Sequence, residues 1–425
     1  MSAAVGWRRA AAALTVAAAG LASVGCASGP GGATPAQQAT APSAVTRPGG
    51  PDLALYTEAG GAFPRADRSN WWATRYSVDS FSRLDEILPA SRSGAPVAPR
   101  PWQTGVAGGA APALSGAVDA YLARNPTTGL LIARDDNVLV ERYQYGRTDT
   151  HRLTSFSMAK TLVAMMIGIA LSEGHIRSLD DPAQTYDAGL LGSAYGATPI
   201  RHLLTMSSGV RFREDYDGTD DSARLSQATV RGASPGGAQA ARLFDDRIAA
   251  PGQRWSYASG ETFVLALVLR GATGRPLAEY FAERIWRPLG AQADATWLID
   301  RSGQAVGYMG FNAVLRDYGR LALLLARHGR VDDRQLIPAD WVREASRAHF
   351  SARQTGRWYG YGYQTWVFPE NDGSFALLGV RGQAIFVDPA TRLVMVHTAV
   401  RPGARDPGGA QTVALWRELR RAMSR

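Results

Sequence analysis

The chain has 425 residues, of which 45% are hydrophobic and 20% charged; this balance is typical of a folded protein with a large core and excludes a mainly disordered chain. The net charge of +9 at pH 7 could serve a nucleic-acid partner. The arginines are scattered without a long basic run, however, so we predict no nucleic-acid partner. The single cysteine, Cys26, excludes an intramolecular disulfide.

The first 25 residues have the pattern of an export signal. Arg8 and Arg9 precede an apolar stretch that is too short for a membrane span, and small residues lead up to Cys26. This arrangement resembles a bacterial lipoprotein signal, in which Cys26 carries the lipid. Residues 26–55 would then be a disordered Ala/Gly/Pro tether. We expect an exported cell-envelope protein that is anchored to the membrane by lipid; a plain signal, giving a secreted or periplasmic protein, is the alternative.

Residues 56–425 are predicted to form the folded domain, with residues 56–110 as an N-terminal wrap around it. Trp71 and Trp72 lie in this wrap and are interpreted as packing residues. Further on, Gly129–Ala133 and Val138–Tyr143 are apolar runs separated by Asp135-Asp136-Asn137. Turn-forming residues between two such runs indicate a β-hairpin.

The middle of the chain is predicted to be helical, and its C-terminal part to be β-rich. Residues 157–173 are apolar on nearly every side, which indicates a buried helix. Short apolar strands follow after residue 360, and Gln411–Met423 forms a closing helix. Strands at both ends with helices between them predict an α/β (α+β) fold, in which one antiparallel sheet is built from both chain ends and carries an inserted, mainly helical lobe.

Ser157 and Lys160 are the strongest candidates for catalysis. Lys160 is the only lysine among 46 basic residues. Residues three apart share one helix face, so the two side chains are neighbours at the start of the buried helix. Burial favours a neutral lysine, which can act as a base where arginine cannot. This pair therefore predicts a serine nucleophile with its activating base.

Two other segments supply candidate partners. Tyr257 comes just before a predicted helix and could relay a proton if the nearby Lys160 charge lowered its pKa. Gly379 and Gly382 interrupt a predicted strand, and such glycines allow another backbone or a substrate to come close. A strand edge at this point could offer a backbone N–H to an oxyanion.

These three elements, in this order, resemble the serine β-lactamase/penicillin-binding-protein superfamily. The resemblance is to its class C-related branch of esterases and 6-aminohexanoate-dimer (nylon-oligomer) hydrolases. Ser157-Met158-Ala159-Lys160 matches the S-x-x-K motif, Tyr257-Ala258-Ser259 lies where Y-x-N is usual, and Leu377-Leu378-Gly379 lies where β-lactamases carry K-T-G. The resemblance implies a β-lactamase-like fold. It also implies substrate contacts from Tyr216, Ser259 and Trp366.

Two departures from the family pattern bear on the substrate. Ser259 replaces the usual Asn, which in the family bonds a substrate amide. Leu377 replaces the K-T-G lysine, which helps to hold a β-lactam carboxylate. The second change argues against efficient penicillin turnover, although Arg381 is a candidate replacement for the lost charge.

The predicted function is that of an exported serine hydrolase that cleaves a small-molecule ester or amide through an acyl-enzyme on Ser157. Lys160 and Tyr257 move the proton, and the N–H groups of Ser157 and Val380 form the oxyanion hole. The alternatives are a β-lactamase or D-Ala-D-Ala peptidase-like protein, or a penicillin- or peptidoglycan-binding module without turnover. The histidines lack metal-ligand spacing, so no metal and no cofactor are predicted.

Overall fold

The computed structural model describes residues 44–103, 111–405 and 409–423. The predicted signal peptide and the predicted lipidation site at Cys26 lie outside these ranges. Composition assigns residues 44–55 to the tether, but in the structure they are ordered. Val45–Thr46 pair in parallel with the strand that ends at Tyr143, and the Tyr145 hydroxyl donates to Pro51 O at 2.6 Å. Contacts with distant residues, which composition does not reveal, therefore order this part of the chain, and Val45–Thr46 form a strand.

The described residues form fourteen β-strands and fourteen α-helices, with short 3-10 turns between them. The strands are β1 Val45–Thr46, β2 Ala90–Ser93, β3 Thr127–Arg134, β4 Asn137–Tyr143, β5 Leu153–Thr154, β6 Ala295–Leu298, β7 Phe311–Ala313, β8 Arg330–Val331, β9 Arg334–Gln335, β10 Gly360–Tyr361, β11 Trp366–Val367, β12 Phe375–Gly379, β13 Gln383–Asp388 and β14 Leu393–Ala399. The α-helices are α1 Ser77–Ser80, α2 Leu84–Ile87, α3 Ala111–Leu122, α4 Ala159–Ser172, α5 Ile200–Leu204, α6 Asp221–Ala228, α7 Ala238–Ala241, α8 Ser259–Thr273, α9 Leu277–Phe281, α10 Arg287–Leu289, α11 Leu315–Ala326, α12 Ala339–Ala345, α13 Ala352–Thr355 and α14 Gly409–Met423.

The main sheet is built from both ends of the described chain, as predicted. Its order is β1-β4-β3-β14-β13-β12-β11-β10, and its pairs are antiparallel except for β1 with β4. The predicted hairpin is β3–β4. Asp135 and Asp136 form its turn with φ of 55° and 86°, the left-handed conformation that two-residue hairpin turns require and Asp tolerates.

Each face of the sheet has its own apolar core. Leu130 and Ile132 pack with α3 and α14, whereas Leu131 and Ala133 belong to the larger core on the opposite face. This is the two-residue alternation of a strand covered on both sides. Helix α11 lies on the second face, against β3, β13 and β14, and α4 packs there with α8.

The chain between β4 and β10 holds the predicted helical lobe and three strands of a smaller sheet ordered β2-β6-β7-β5. The wrap contributes β2 to this sheet, since Ala90–Ser93 pair with Ala295–Leu298. Tyr56 ties the wrap to the main sheet by donating to Val400 O at 2.7 Å. In the described part of the chain, no helix has the length and apolar character needed to cross a membrane.

Candidate active site

Ser157 lies on a tight turn that leads directly into α4. Phe156–Met158 form one 3-10 turn, and the predicted helix begins two residues later than expected, at Ala159. Phe156 has φ of 42°, an unfavourable backbone conformation for a bulky residue. Ser157 is partly exposed, whereas Lys160 in the first turn of α4 is 1% exposed. The turn thus presents the serine to the surface beside a buried amine.

The Lys160 amine has three close polar neighbours. Its Nζ lies 3.0 Å from Ser157 Oγ, 3.0 Å from Ser259 Oγ and 2.8 Å from Tyr308 O. Burial lowers the pKa of Lys160 from 10.5 to about 8, and the charge of Glu214 opposes that shift. The direction is the one expected for an amine inside a buried helix.

The other hydrogen bonds of the Lys160 amine decide whether an N–H or the nitrogen lone pair faces Ser157. The Ser259 hydroxyl has one proton, which it donates to Glu214 Oε1 at 2.9 Å, so its oxygen accepts from Lys160. The Tyr308 carbonyl accepts a second N–H. An ammonium would point its third N–H at Ser157 Oγ, but a neutral amine points its lone pair there. In the neutral form Lys160 can therefore accept the serine proton.

Tyr257 is also next to Ser157. The Ser157 side chain is close enough to the Tyr257 hydroxyl to lower its pKa, and Lys160 Nζ lies 5.1 Å from the centre of the Tyr257 ring. Burial and the charge of Glu214 raise the pKa of Tyr257, so the prediction of a lowered value is wrong. That prediction counted the lysine charge but not the loss of solvent, which disfavours a phenolate.

Glu214 is a functional candidate that sequence reasoning missed. It is 6% exposed. Its Oε2 accepts from the Ser259 N–H at 2.7 Å, and its Oε1 accepts from the hydroxyls of Ser259 and Tyr216 at 2.9 and 2.6 Å. The carboxylate thus sits at the N-terminus of α8, where the helix dipole and a free N–H favour negative charge. A charged residue in a loop gave no signal of this role, because Glu214 and Ser259 are 45 positions apart.

The glycine-flanked segment passes directly beside the nucleophile turn. A Cβ on Gly379 would lie 2.5 Å from Ser155 O and 3.2 Å from the Phe156 Cβ, so only glycine fits where β12 crosses this turn. Val380 follows at the edge of β12 and lines the same cavity as Ser157. The N–H groups of Ser157 and Val380 take no part in the turn and loop hydrogen bonds of the described residues.

A cavity of about 170 Å³ opens at Ser157. The predicted substrate residues Tyr216 and Ser259 line it, but Trp366 does not. Trp366 instead stacks on the Tyr257 ring with 5.4 Å between ring centres. The lining also includes residues that the sequence did not single out for substrate contact: Trp71, Trp72, Phe156, Glu214, Tyr308 and Met309. The Trp pair of the wrap therefore forms part of the cavity wall and is not only packing.

Neither Leu377 nor Arg381 brings the charge of the K-T-G lysine to the cavity. Leu377 in β12 is 1% exposed and Arg381 is 6% exposed, and neither is among the residues that line the cavity. The Arg381 guanidinium donates to Pro402 O and Trp72 O at 2.6 and 3.0 Å and lies 4.7 Å from the centre of the Trp72 ring. Because backbone carbonyls hold this arginine, the expectation that it could take over carboxylate binding is wrong.

Fold and sequence together identify the class of protein. Residues 114–415 match the Beta-lactamase family, and the chain belongs to that family of serine hydrolases. It is 24% identical over 363 residues to the 6-aminohexanoate-dimer hydrolase of Paenarthrobacter ureafaciens. The aligned region covers 82% of this chain and 91% of that protein.

Solved structures show the same fold. A Bacillus anthracis protein proposed to be a 6-aminohexanoate-dimer hydrolase matches with a TM-score of 0.71 and 22% identity, covering 84% of this chain and 98% of its own. The hydrolase EstCE1, which has promiscuous acyltransferase activity, matches with a TM-score of 0.58 and 18% identity over 74% of this chain and 99% of its own. At these identities the likeness establishes the fold and leaves the substrate open.

Proposed function

We propose that this protein hydrolyses a small ester or amide through an acyl-enzyme on Ser157, as a carboxylesterase or 6-aminohexanoate-dimer hydrolase type of enzyme. The observation that carries the proposal is the 3.0 Å contact between Ser157 Oγ and the buried amine of Lys160. A nucleophile within hydrogen-bond reach of a base is the arrangement that covalent catalysis needs.

In the first step Lys160 takes the Ser157 proton as Oγ forms a bond to the substrate carbonyl carbon. The carbonyl oxygen becomes an oxyanion, which the N–H groups of Ser157 and Val380 stabilise. Two such donors aimed at developing charge commonly supply a large part of the rate enhancement in acyl transfer.

In the second step the tetrahedral intermediate collapses and the leaving group departs with a proton. Tyr257 stays a neutral phenol because its pKa is raised, so it can donate that proton and regain one from Lys160. Water then attacks the acyl-enzyme while Lys160 accepts one of its protons. The second tetrahedral intermediate breaks its bond to Oγ, Lys160 returns the proton to Oγ, and the acid is released with Ser157 restored.

Labelling and mutation test this mechanism directly. A fluorophosphonate should add its mass to the peptide that contains Ser157, and Ser157→Ala should lose both labelling and hydrolysis of p-nitrophenyl esters. Wild-type turnover in the Ser157→Ala variant would contradict the proposal. A stable adduct with a fluorescent penicillin, without ester turnover, would favour the alternative of a penicillin-binding module.

A substrate panel separates the remaining possibilities. Leu377 carries no charge, and the Arg381 guanidinium is held by backbone carbonyls, so neither offers the family's cation to a β-lactam carboxylate. We therefore expect short-chain esters and 6-aminohexanoate oligomers to be cleaved faster than penicillins or D-Ala-D-Ala peptides. Higher kcat/KM on penicillins would make the enzyme a β-lactamase instead.

Export and lipid anchoring remain proposals that rest on the sequence around Cys26. When the full chain is expressed in a bacterium, it should fractionate with membranes, and its N-terminal peptide should carry the lipid on Cys26. The Cys26→Ala variant should appear in the soluble envelope fraction. An unmodified Cys26 in a secreted wild-type protein would support the plain-signal alternative.

A further inference from the structure

We propose that Glu214, acting through Ser259, is a positioning residue that fixes the orientation and the charge state from which Lys160 takes the Ser157 proton. This inference rests on the proposed function, because it assigns Lys160 the role of base. It adds a residue to the site that no motif of the chain contains.

Glu214 fixes how the Lys160 amine is oriented. Glu214 Oε1 takes the only proton of the Ser259 hydroxyl, so Ser259 Oγ can interact with Lys160 Nζ only as an acceptor. The Tyr308 carbonyl likewise can only accept. Both N–H bonds of the neutral amine are thereby used, and its lone pair points at Ser157. Without Glu214, the Ser259 hydroxyl could donate to the amine instead and occupy that lone pair.

Glu214 also acts on the charge of Lys160. Glu214 accepts three hydrogen bonds and donates none, which is how an ionised carboxylate is held. A single hydroxyl separates it from Lys160, and its charge raises the pKa of Lys160 against the lowering by burial. The other titratable groups facing the amine are the neutral phenols of Tyr257 and Tyr308, whose ring centres lie 5.1 and 5.6 Å from Nζ.

The pH profile of kcat/KM separates this role from a structural one. Activity needs neutral Lys160, so the rise of kcat/KM on the acid side of the profile (the acid limb) follows the pKa of Lys160. Glu214→Gln removes the charge that favours the ammonium, and the limb should move to lower pH by about one unit while the plateau falls. A variant that loses activity with an unshifted limb would overturn the proposal.

Glu261→Gln is the matched control. Glu261 is also a buried carboxyl in the first turn of α8, but it accepts from Ser208 and makes no contact with Lys160 among the hydrogen bonds of the described residues. Its removal should leave the acid limb where the wild type has it. An equal shift in both variants would mean that the limb reports burial changes in α8 and would count against Glu214.

Ser259→Ala gives a second test that does not depend on the folding of the Glu214 variant. It keeps the charge but removes the hydroxyl that holds one N–H of Lys160. We expect kcat to fall about tenfold or more; a wild-type kcat would overturn the proposal. Fluorophosphonate labelling of Ser157 in the wild-type protein would support the proposed hydrolase function even if the Glu214 and Ser259 variants contradict this inference.

Discussion

A Cβ on Gly379 would lie 2.5 Å from the carbonyl oxygen of Ser155, which belongs to the turn that carries the nucleophile. Gly379 has φ of −130°, so any residue could adopt its backbone conformation and the requirement for glycine is purely steric. The close approach of β12 to this turn brings Val380 next to Ser157.

Gly379→Ala should therefore damage catalysis more than stability. The added methyl group must push β12 and the Ser157 turn apart, and small displacements of donors from an oxyanion commonly cost on the order of 10²-fold in rate. We expect kcat/KM to fall by about that factor while the chain remains folded by circular dichroism.

The matched control is Gly116→Ala in α3, where an added Cβ meets nothing within 4 Å. Alanine is the better helix former by up to about 1 kcal/mol. Activity should be unchanged and the Tm equal or slightly higher. If Gly379→Ala also retained wild-type kcat/KM, the Val380 N–H could not be a catalytic donor held by this contact.

Lys160→Arg tests whether the only lysine is needed as a base. Arginine keeps the positive charge but stays protonated and has no acceptor, so it cannot take the Ser157 proton. We expect kcat/KM to fall on the order of 10³-fold or more. In the wild type, activity should rise with pH through the Lys160 pKa of about 8. Appreciable activity in the arginine variant would show that another group is the base.

The sequence predicted those parts of this site that depend on residues close together in the chain. Lys160 stood out because arginine serves everywhere else, and the spacing from Ser157 together with the apolar helix indicated a buried amine. Gly379 stood out as a glycine inside a strand. These signals depend on neighbouring residues and on the period of one helix or strand.

Other parts could not be predicted, because they depend on contacts between distant segments. Nothing near Glu214 indicates that its carboxylate caps α8, and the stacking of Trp366 on Tyr257 follows from how the sheet meets the helical lobe. The pKa of Tyr257 was predicted in the wrong direction for the same reason: a motif shows a neighbouring charge but not the extent of burial.

Trp72 is predicted to limit the acyl group. It lines the cavity, lies edge-on to Phe156 with 5.5 Å between ring centres, and is backed by the Arg381 guanidinium. Trp72→Ala should open this wall, so kcat/KM for p-nitrophenyl octanoate relative to the acetate should rise about tenfold or more. The partly exposed Trp358 lies outside this cavity, and Trp358→Ala should leave the ratio unchanged. An unchanged ratio in both variants would place the acyl group elsewhere.

Glu261 should make stability depend on pH. Burial raises the pKa of Glu261 from 4.5 to about 8, so between these values the folded state holds a proton that the unfolded state has released. Its stabilising contribution is complete below about pH 4.5 and is lost as pH rises toward 8, by up to about 1.4 kcal/mol per pH unit. Glu261→Gln cannot ionise and should remove this fall. Urea unfolding at several pH values measures it, and identical pH slopes for the wild type and the variant would show that Glu261 does not hold its proton in the folded protein.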